Sequence, residues 1–282
     1  MVTTDTEPTM SSEVNAATPQ ARVLADLDHA SELQYHGKLN EAVCKLEAAL
    51  TIAHATPYEI EFMTRIRLGM ALADLYLALD RIEDARTLAT DEAAFTDKIN
   101  KVMQATGTPS QKRTAMGGYF QVRDRATQLT LIGEAAPEIS VKQWIMGGPA
   151  SLSDSRGRVA LLEFWATWCK PCHEMFPKLN MLHEKHSSQG LDIIALTRHY
   201  LAYRGTDEAM ADELELMRKM VTEHSIKFPV GVAEDEGLQS LYGANGLPTV
   251  ILIDRKGIVR YAGAGGDEPM FQKTLNQYLT AD

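Results

Sequence analysis

This sequence of 282 residues contains few cysteines, no excess of basic side chains and no long apolar run. Its three cysteines, two of them in one Cys-x-x-Cys motif, do not provide the disulfide framework of a small secreted scaffold. The formal net charge of −10 argues against nucleic acid as a partner, because binding a phosphate backbone requires a basic face. No stretch approaches the roughly 18 consecutive apolar residues of a membrane-spanning helix, so no membrane span is expected.

Residues 1–19 are rich in Thr, Ser, Glu and Pro and predict a flexible tail. This segment has neither the basic region nor the apolar region of a secretion signal. A cytoplasmic location is therefore expected.

Residues 20–100 carry dense Ala and Leu at helical spacing, which predicts an all-helical domain. Gly37-Lys38-Leu39-Asn40 breaks the pattern and indicates a helical hairpin. The pattern then recurs at an offset of 43, where one set of residues aligns with another: Ala30, Leu33, Gly37, Ala42, Leu46 and Ala49 with Ala73, Tyr76, Asp80, Ala85, Leu88 and Asp91.

This helical pattern resembles the tetratricopeptide repeat, although its offset is longer than the usual period of about 34 residues. An unrelated helical bundle is the alternative. Two repeats are fewer than the number that usually folds alone, so we expect the domain to pack against the helix predicted after it or to associate with another protein or a second copy. Cys44 falls at a helical position beside Val43 and is expected to be a small buried residue.

Residues 101–130 are predicted to be a helical connector. A break at residues 106–110 precedes a helix-like pattern that Gly117-Gly118 interrupts. From residue 131 to residue 282 the pattern is that of an α/β domain, with a mixed sheet flanked by helices. The predicted strands are residues 159–165, 191–197, 250–254 and 258–262, and the predicted helices are residues 172–187, 207–224 and 271–279.

The most informative stretch lies at the first predicted strand-to-helix junction: Trp165-Ala166-Thr167-Trp168-Cys169-Lys170-Pro171-Cys172. Cys169 precedes the helix, where the amide groups favour a thiolate, and is expected to be the exposed attacking thiol. Cys172, one turn later, is expected to be the resolving thiol. Lys170 adds a positive charge, and Pro171 fits a helix start because its missing N–H would have no partner there.

Two other uses of the cysteine pair are weaker. A zinc site would need two further ligands, and Cys44 belongs to the other predicted domain. Cys-x-x-Cys-His, completed by His173, is also the attachment motif of c-type haem, but a strand precedes it and Pro171 lies within it. No cofactor or metal is therefore expected beyond a redox-active Cys169–Cys172 disulfide.

Further motifs accompany the pair: Glu163 six residues before Cys169, Pro177 five residues after Cys172, and Gly246-Leu247-Pro248-Thr249 downstream. Together they resemble the thioredoxin superfamily. Residues 134–139 and 251–257 are similar to the TlpA and ResA type of thiol-disulfide oxidoreductase. The resemblance covers residues 131–282 and implies a thioredoxin-like fold, a protein client and an upstream thiol reductant. Such relatives are largely extracytoplasmic, which makes an extracytoplasmic location the alternative.

The resemblance also implies roles for particular residues. Glu163 matches the buried acid of thioredoxins and would exchange a proton with Cys172, whereas an outward-facing residue on an edge strand is the alternative. Pro248 matches the cis-proline, whose loop, with Leu247, faces the cysteines and pairs with the incoming polypeptide. Trp168, beside Cys169, is expected to flank the substrate groove. Two other positions are supporting: Trp165 in packing and Pro177 bending the helix.

The favoured function is therefore a thiol-disulfide oxidoreductase that reduces protein disulfides through Cys169 and Cys172. One alternative is an interaction or chaperone module in which the helical repeats bind clients and the second domain is a scaffold. Another is a peroxide reductase of the peroxiredoxin type. In that family a threonine normally lies three residues before the reactive cysteine, whereas Thr167 lies two before Cys169.

Overall fold

The computed structural model describes residues 18–148, 151–201, 206–265 and 268–280. Most of the expected flexible tail, residues 1–17, lies outside this description. The chain divides into two compact units, of which the first ends at Leu68 and the second begins at Gly69. The domain limits expected from the sequence stay a prediction.

The N-terminal part is entirely helical from residue 19 to residue 131, apart from short turns, as predicted. Thr18 caps the N-terminus of the first helix, because its side chain accepts a hydrogen bond from Ala21 N at 3.2 Å. The helices are α1 (Pro19–Tyr35), α2 (Leu39–Ala55), α3 (Phe62–Ala78), α4 (Ile82–Thr106) and α5 (Pro109–Leu131).

The helical-hairpin repeat predicted from the sequence is visible in each hairpin. Gly37 and Asp80, which align in the sequence, occupy the two turns and both have positive φ values, +73° and +57°. Asp91, which aligns with the buried Ala49, is exposed. The other aligned positions are buried: Ala30, Leu33, Ala42, Leu46, Ala49, Ala73, Tyr76, Ala85 and Leu88.

Two expectations about the helices are wrong. Gly117-Gly118 does not interrupt α5, which runs unbroken to Leu131. Its first turn is stabilised because Thr108 and Gln111 cap each other, with Gln111 Oε1 accepting from Thr108 N at 2.9 Å. Cys44 is exposed rather than buried. It lies one position beyond Val43, outside the buried face of α2.

In the described ranges, six strands form one mixed sheet in the order β1-β4-β3-β2-β5-β6. The strands are β1 (Val141–Met146), β2 (Val159–Phe164), β3 (Leu191–Thr197), β4 (Val230–Ala233), β5 (Thr249–Ile253) and β6 (Val259–Gly263). β2, β3 and β4 are parallel, whereas β1, β5 and β6 pair antiparallel with their neighbours. The four predicted strands are confirmed as β2, β3, β5 and β6. β1 and β4 were not predicted.

Helices cover both faces of this sheet, which defines the predicted thioredoxin-like α/β fold. They are α6 (Lys170–His186), α7 (Asp207–Glu223), α8 (Gly237–Leu241) and α9 (Pro269–Thr280). Every residue of β2 is buried, as expected of a strand covered on two sides.

The two faces of β2 contribute to two different clusters of buried residues. Leu161 and Trp165 pack in the cluster that includes Cys172 of α6, whereas Leu162 and Phe164 pack in the other. Side chains alternate along a strand, so Glu163 faces the same side as Leu161 and Trp165. The sheet therefore directs Glu163 toward the side that carries α6 and the cysteines.

Helix α5 also packs on the sheet, within the second compact unit. Arg125 Nη1 donates a hydrogen bond to Ala262 O of β6 at 3.0 Å. Gln128 Nε2 donates to Gly243 O, in the segment before β5, at 2.7 Å. The expected connector is thus joined to the sheet by specific hydrogen bonds.

Candidate active site

Cys169 and Cys172 form a disulfide at the start of α6, with an S–S distance of 1.98 Å. Cys169 is the N-cap of this helix, and its Sγ accepts a hydrogen bond from Cys172 N at 3.3 Å. The helix begins at Lys170, earlier than predicted, and places Pro171 in its first turn. Because free amides at a helix N-terminus favour negative charge, this position stabilises a thiolate on Cys169 after reduction.

Cys169 was expected to be exposed, but it is buried in the structure. In the disulfide form Cys169 is 3% exposed and Cys172 is 0% exposed. Cys169 is buried because its sulfur is bonded to Cys172 and packs in the same cluster as Trp165 and Ala166. Trp168 is the large exposed side chain beside the pair, at 63%.

Lys170 points its charge toward Glu174, one turn along α6, with Nζ and Oε1 4.0 Å apart. Both side chains are exposed, so solvent screens this pair. The amide of Cys172 is the donor in contact with the sulfur of Cys169. An effect of Lys170 on the thiolate stays a prediction, as does a bend at Pro177, which lies inside α6.

Glu163 is fully buried, and neither carboxyl oxygen has a hydrogen-bond partner within the described residues. It lies in the middle of the sheet, where β2 pairs it with Ala195 of β3 and Val250 of β5. This position excludes the alternative of an outward-facing residue on an edge strand. Burial raises the pKa of Glu163 well above its ordinary value, because a charged carboxylate loses its hydration there.

Two more polar atoms near Glu163 in the fold are buried without a partner in the described part of the chain: Trp165 Nε1 and Thr197 Oγ1. Trp165 packs edge-to-face on Phe176 of α6, with ring centroids 5.3 Å apart. Thr197 ends β3 and, by strand alternation, faces the same side of the sheet as Glu163. Thr197 was not predicted from the sequence, where its only signal is a hydroxyl at the end of an apolar run.

The loop before β5, residues 243–248, is called the proline loop here. Its Leu247–Pro248 peptide bond is cis, as the resemblance implied. Thr249 follows the loop and pairs with Phe164, the last residue of β2. Because β2 leads from Phe164 directly into the Cys169 segment, the proline loop and the cysteines lie at the same end of the sheet.

Beside the disulfide, Trp168 makes an edge-to-face contact with Tyr200, with ring centroids 5.3 Å apart. The Arg198 guanidinium lies over the Tyr200 ring, 4.2 Å from its centroid. Gln239 joins the two, since its Oε1 accepts from Arg198 Nε at 2.7 Å and its Nε2 donates to the Tyr200 hydroxyl at 2.6 Å. This cluster was not predictable from the sequence, because its members come from separate segments.

Glu213 of α7 fixes the segment that carries Tyr200. Its carboxylate accepts from Tyr200 N and Leu201 N, both at 3.1 Å, and its side chain is buried. The surface beside Trp168 is therefore held from two sides, by Gln239 and by Glu213.

No group of three or more His, Cys, Asp or Glu side chains within residues 18–148, 151–201, 206–265 and 268–280 could hold a metal ion. Over the same part of the chain, every helix is too short or too polar to cross a membrane.

A cysteine pair at a helix N-terminus, a buried acid on the same side of the sheet and a proline loop at the same sheet end define the class of thiol-disulfide oxidoreductases with a thioredoxin-like fold. Comparison with known sequences gives the family. The model of the AhpC/TSA family matches residues 132–262. The thiol-disulfide oxidoreductase ResA of Bacillus thuringiensis (strain Al Hakam) is 33% identical over 147 residues, which are 52% of this chain and 75% of that protein. The chain belongs to the ResA family of thiol-disulfide oxidoreductases.

Other similar proteins have related descriptions. The thioredoxin-like protein YneN of Bacillus subtilis (strain 168) is 28% identical over 151 residues, covering 53% of this chain and 79% of that protein. A solved structure of a thiol-disulfide isomerase from Corynebacterium glutamicum is 25% identical, covers 53% of this chain and 98% of that chain, and has a TM-score of 0.45. The ResA relative confirms the predicted family and the predicted activity, thiol-disulfide oxidoreductase.

Proposed function

We propose that this enzyme reduces disulfide bonds in client proteins, with Cys169 as the attacking thiol and Cys172 as the resolving thiol. The observation that carries this assignment is the position of Cys169 at the N-cap of α6, with its sulfur on the Cys172 amide. In the reduced enzyme, Cys169 attacks one sulfur of the client disulfide and releases the other as a thiolate, which takes a proton. Cys172 then attacks Cys169, releases the second client thiol and closes the enzyme disulfide.

Glu163 is proposed to accept the proton of Cys172 during the second attack. Its buried carboxyl lies on the cysteine-bearing side of the sheet, and burial raises its pKa, so it keeps a proton to higher pH than an exposed carboxyl does. When an upstream thiol reductant restores the dithiol with two electrons, the proton returns from Glu163 to Cys172. No bound cofactor takes part in these steps.

The client is proposed to bind across the exposed Trp168 and the proline loop, where Leu247 and Pro248 would face its backbone. Trp168 supports this because a large aromatic side chain beside the disulfide remains 63% exposed while its ring is held by Tyr200. A held, exposed ring loses little conformational freedom when a client covers it.

Substitution of single cysteines tests the assignment. Cys169→Ser should abolish reduction of insulin disulfides, whereas Cys172→Ser should retain attack and accumulate a mixed disulfide with insulin, visible by non-reducing electrophoresis. Cys44→Ser is the matched control and should reduce insulin at the wild-type rate. Full insulin reduction by the Cys169→Ser variant would contradict the proposal.

The direction of electron flow is tested by equilibrating the Cys169–Cys172 pair with glutathione buffers. A potential near about −270 mV, like that of thioredoxin, is expected for a reductant, whereas a value near about −120 mV would make the protein an oxidant. The Cys44→Ser background is preferable, since it leaves one titrating pair.

The helical repeats suggest a second function, which is selection of the client or self-association. Tyr35, at the end of α1, is 88% exposed, and Tyr58, between α2 and α3, is 95% exposed, so each offers an aromatic surface to a partner. A client that binds equally well after both active-site cysteines are changed to Ser would favour this role. The cytoplasmic location stays a prediction, which cell fractionation with an antibody to the protein would test.

A further inference from the structure

We propose that Asp124, on helix α5, is a positioning residue that holds the proline loop in its client-binding conformation. Helix α5 would then be part of the substrate site, although it precedes the thioredoxin-like core in the sequence. This inference rests on the proposed function, in which a client protein binds against residues 243–248.

The Asp124 carboxylate makes three hydrogen bonds to the loop. Its Oδ2 accepts from Asn245 N at 3.1 Å and from Gly246 N at 3.2 Å, and its Oδ1 accepts from Asn245 Nδ2 at 3.0 Å. The Asp124 side chain is only 8% exposed. Two consecutive backbone amides of the loop are thus satisfied by a buried side chain from a distant part of the sequence, immediately before Leu247 and Pro248.

The same helix holds the beginning of the loop, one turn further along. Gln128 Nε2 donates to Gly243 O at 2.7 Å. Gly243 has φ +60°, and a Cβ at this position would lie 2.3 Å from Asp124 O. Only glycine allows the loop to approach the helix this closely, so the backbone of α5 and the loop fit each other directly.

A fourth bond explains why the side chain at position 124 is a carboxylate. Arg123 Nη2 lies 3.0 Å from Asp124 Oδ1, which therefore receives two donors while Oδ2 receives two others. All four bonds need an acceptor at position 124. An amide would present an N–H₂ group to one pair of donors and leave these donors without an acceptor.

The expected consequence is an effect on client binding rather than on the redox pair. In the part of the chain that the structure describes, the hydrogen bonds of the Asp124 carboxylate go to the loop and to Arg123. Without them, the two loop amides lose their acceptor and the loop no longer keeps one conformation. A client would then have to order the loop as it binds, which weakens binding.

The test compares full-length Asp124→Ala and Asp124→Asn with Asp97→Asn, which removes a partly exposed carboxylate that pairs with Lys101 on α4. For Asp124→Ala, the KM for insulin should rise about tenfold, with a kcat at saturating insulin that stays within about twofold of wild type. The glutathione equilibrium and the reaction of reduced Cys169 with a small aromatic disulfide should be unchanged. Asp97→Asn should match wild type throughout.

A reciprocal variant separates positioning from general destabilisation. Asp124→Asn combined with Asn245→Asp restores a donor and an acceptor between the two side chains, and leaves the amide oxygen introduced at position 124 for the backbone amides. The KM for insulin should rise in Asp124→Asn, and this double variant should reverse most of that rise. Absence of recovery, or a shift in the glutathione equilibrium as large as the KM effect, would overturn the positioning role.

The two proposals fail in different ways. If wild type does not reduce insulin although it reacts with the small disulfide, the proposed client reduction fails, and the inference fails with it. If wild type reduces insulin and Pro248→Ala raises the KM while Asp124→Ala does not, the proposed function stands and the role of Asp124 is overturned.

Discussion

Gly37 and Asp80 occupy equivalent turns in the two helical hairpins and adopt the same left-handed backbone conformation, with φ values of +73° and +57°. The hydrogen bonds that close the turns are also equivalent. Lys38 N donates to Leu33 O, and Arg81 N donates to Tyr76 O, each at 2.8 Å. The second turn therefore keeps a glycine conformation at a position that carries a side chain.

Asp80→Gly should stabilise the protein by about 0.5–1 kcal/mol, because glycine adopts positive φ without the steric cost that other residues have. Gly37→Ala should destabilise it by about 1 kcal/mol. A Cβ at Gly37 would meet no atom within 4 Å, so the cost there is conformational alone. Urea denaturation measures both, and equal midpoints for wild type and Asp80→Gly would show that the aspartate side chain compensates for its backbone conformation.

Glu163→Gln should make the oxidised protein more stable at pH 7, by about 1–3 kcal/mol. The pKa of Glu163 is raised above its ordinary value of 4.5 in the folded state by burial, so the folded chain binds this proton more tightly than the unfolded chain. The stability of wild type relative to the variant therefore falls as the pH rises from 4.5 toward the folded-state pKa, and the difference disappears at or below pH 4.5.

Urea denaturation of oxidised wild type and Glu163→Gln at several pH values measures this dependence. Glu174→Gln is the control, since Glu174 is exposed on α6 and should give no pH-dependent difference. A stability difference between wild type and Glu163→Gln that is independent of pH would be inconsistent with a proton held by a buried carboxyl.

The same substitution should slow closure of the enzyme disulfide by about a hundredfold, because a general base contributes about 10²–10⁴ to a proton-transfer step. Attack by Cys169 should be less affected, so a mixed disulfide should accumulate. Stopped-flow measurement with a disulfide peptide, with acid quenching and mass spectrometry, separates the two steps. Equal slowing of both steps would assign Glu163 to something other than the Cys172 proton.

The two tryptophans near the disulfide should respond differently to replacement by alanine. Trp165 is fully buried against Phe176, so Trp165→Ala should cost about 3–5 kcal/mol of stability. Trp168 is 63% exposed, and Trp168→Ala should leave stability within about 0.5 kcal/mol of wild type while raising the KM for insulin. Unchanged insulin kinetics for Trp168→Ala would remove this ring from the client surface.

Cys44 should be the thiol that reacts first with a membrane-impermeant alkylating reagent in the oxidised native protein, since it is exposed and the other two cysteines are joined. Intact mass should rise by one adduct before reduction and by three after reduction and unfolding. No adduct on the oxidised native protein would contradict the exposure of Cys44.

The redox pair, Glu163 and Pro248 were predictable from the sequence because this chemistry needs particular residue types at set spacings. Asp124 was not, because a polar residue on a long helix has no sequence signal for a partner more than a hundred positions away. Strand β4 was also not predicted, because it contains a glycine. Gly231 lies within β4, and a Cβ there would come within 2.9 Å of Val141 Cγ1 on the neighbouring β1. β4 depends on the close approach of β1, and the strand propensities of its own residues do not indicate such a contact.

The hydrogen bond from Arg125 to Ala262 O has a consequence for association. β6 is the last strand of the sheet, and Gly133 and Glu134 pair with Val259 at its start. Where a strand edge lacks such partners, it offers its carbonyls and amides to strands of other molecules. Arg125, a charged residue of α5, donates a hydrogen bond to one of the β6 carbonyls, Ala262 O. A fragment that begins after residue 131 would keep the pairing at Val259 but would lose the Arg125 contact at Ala262, so α5 shields this part of the edge from strands of other molecules.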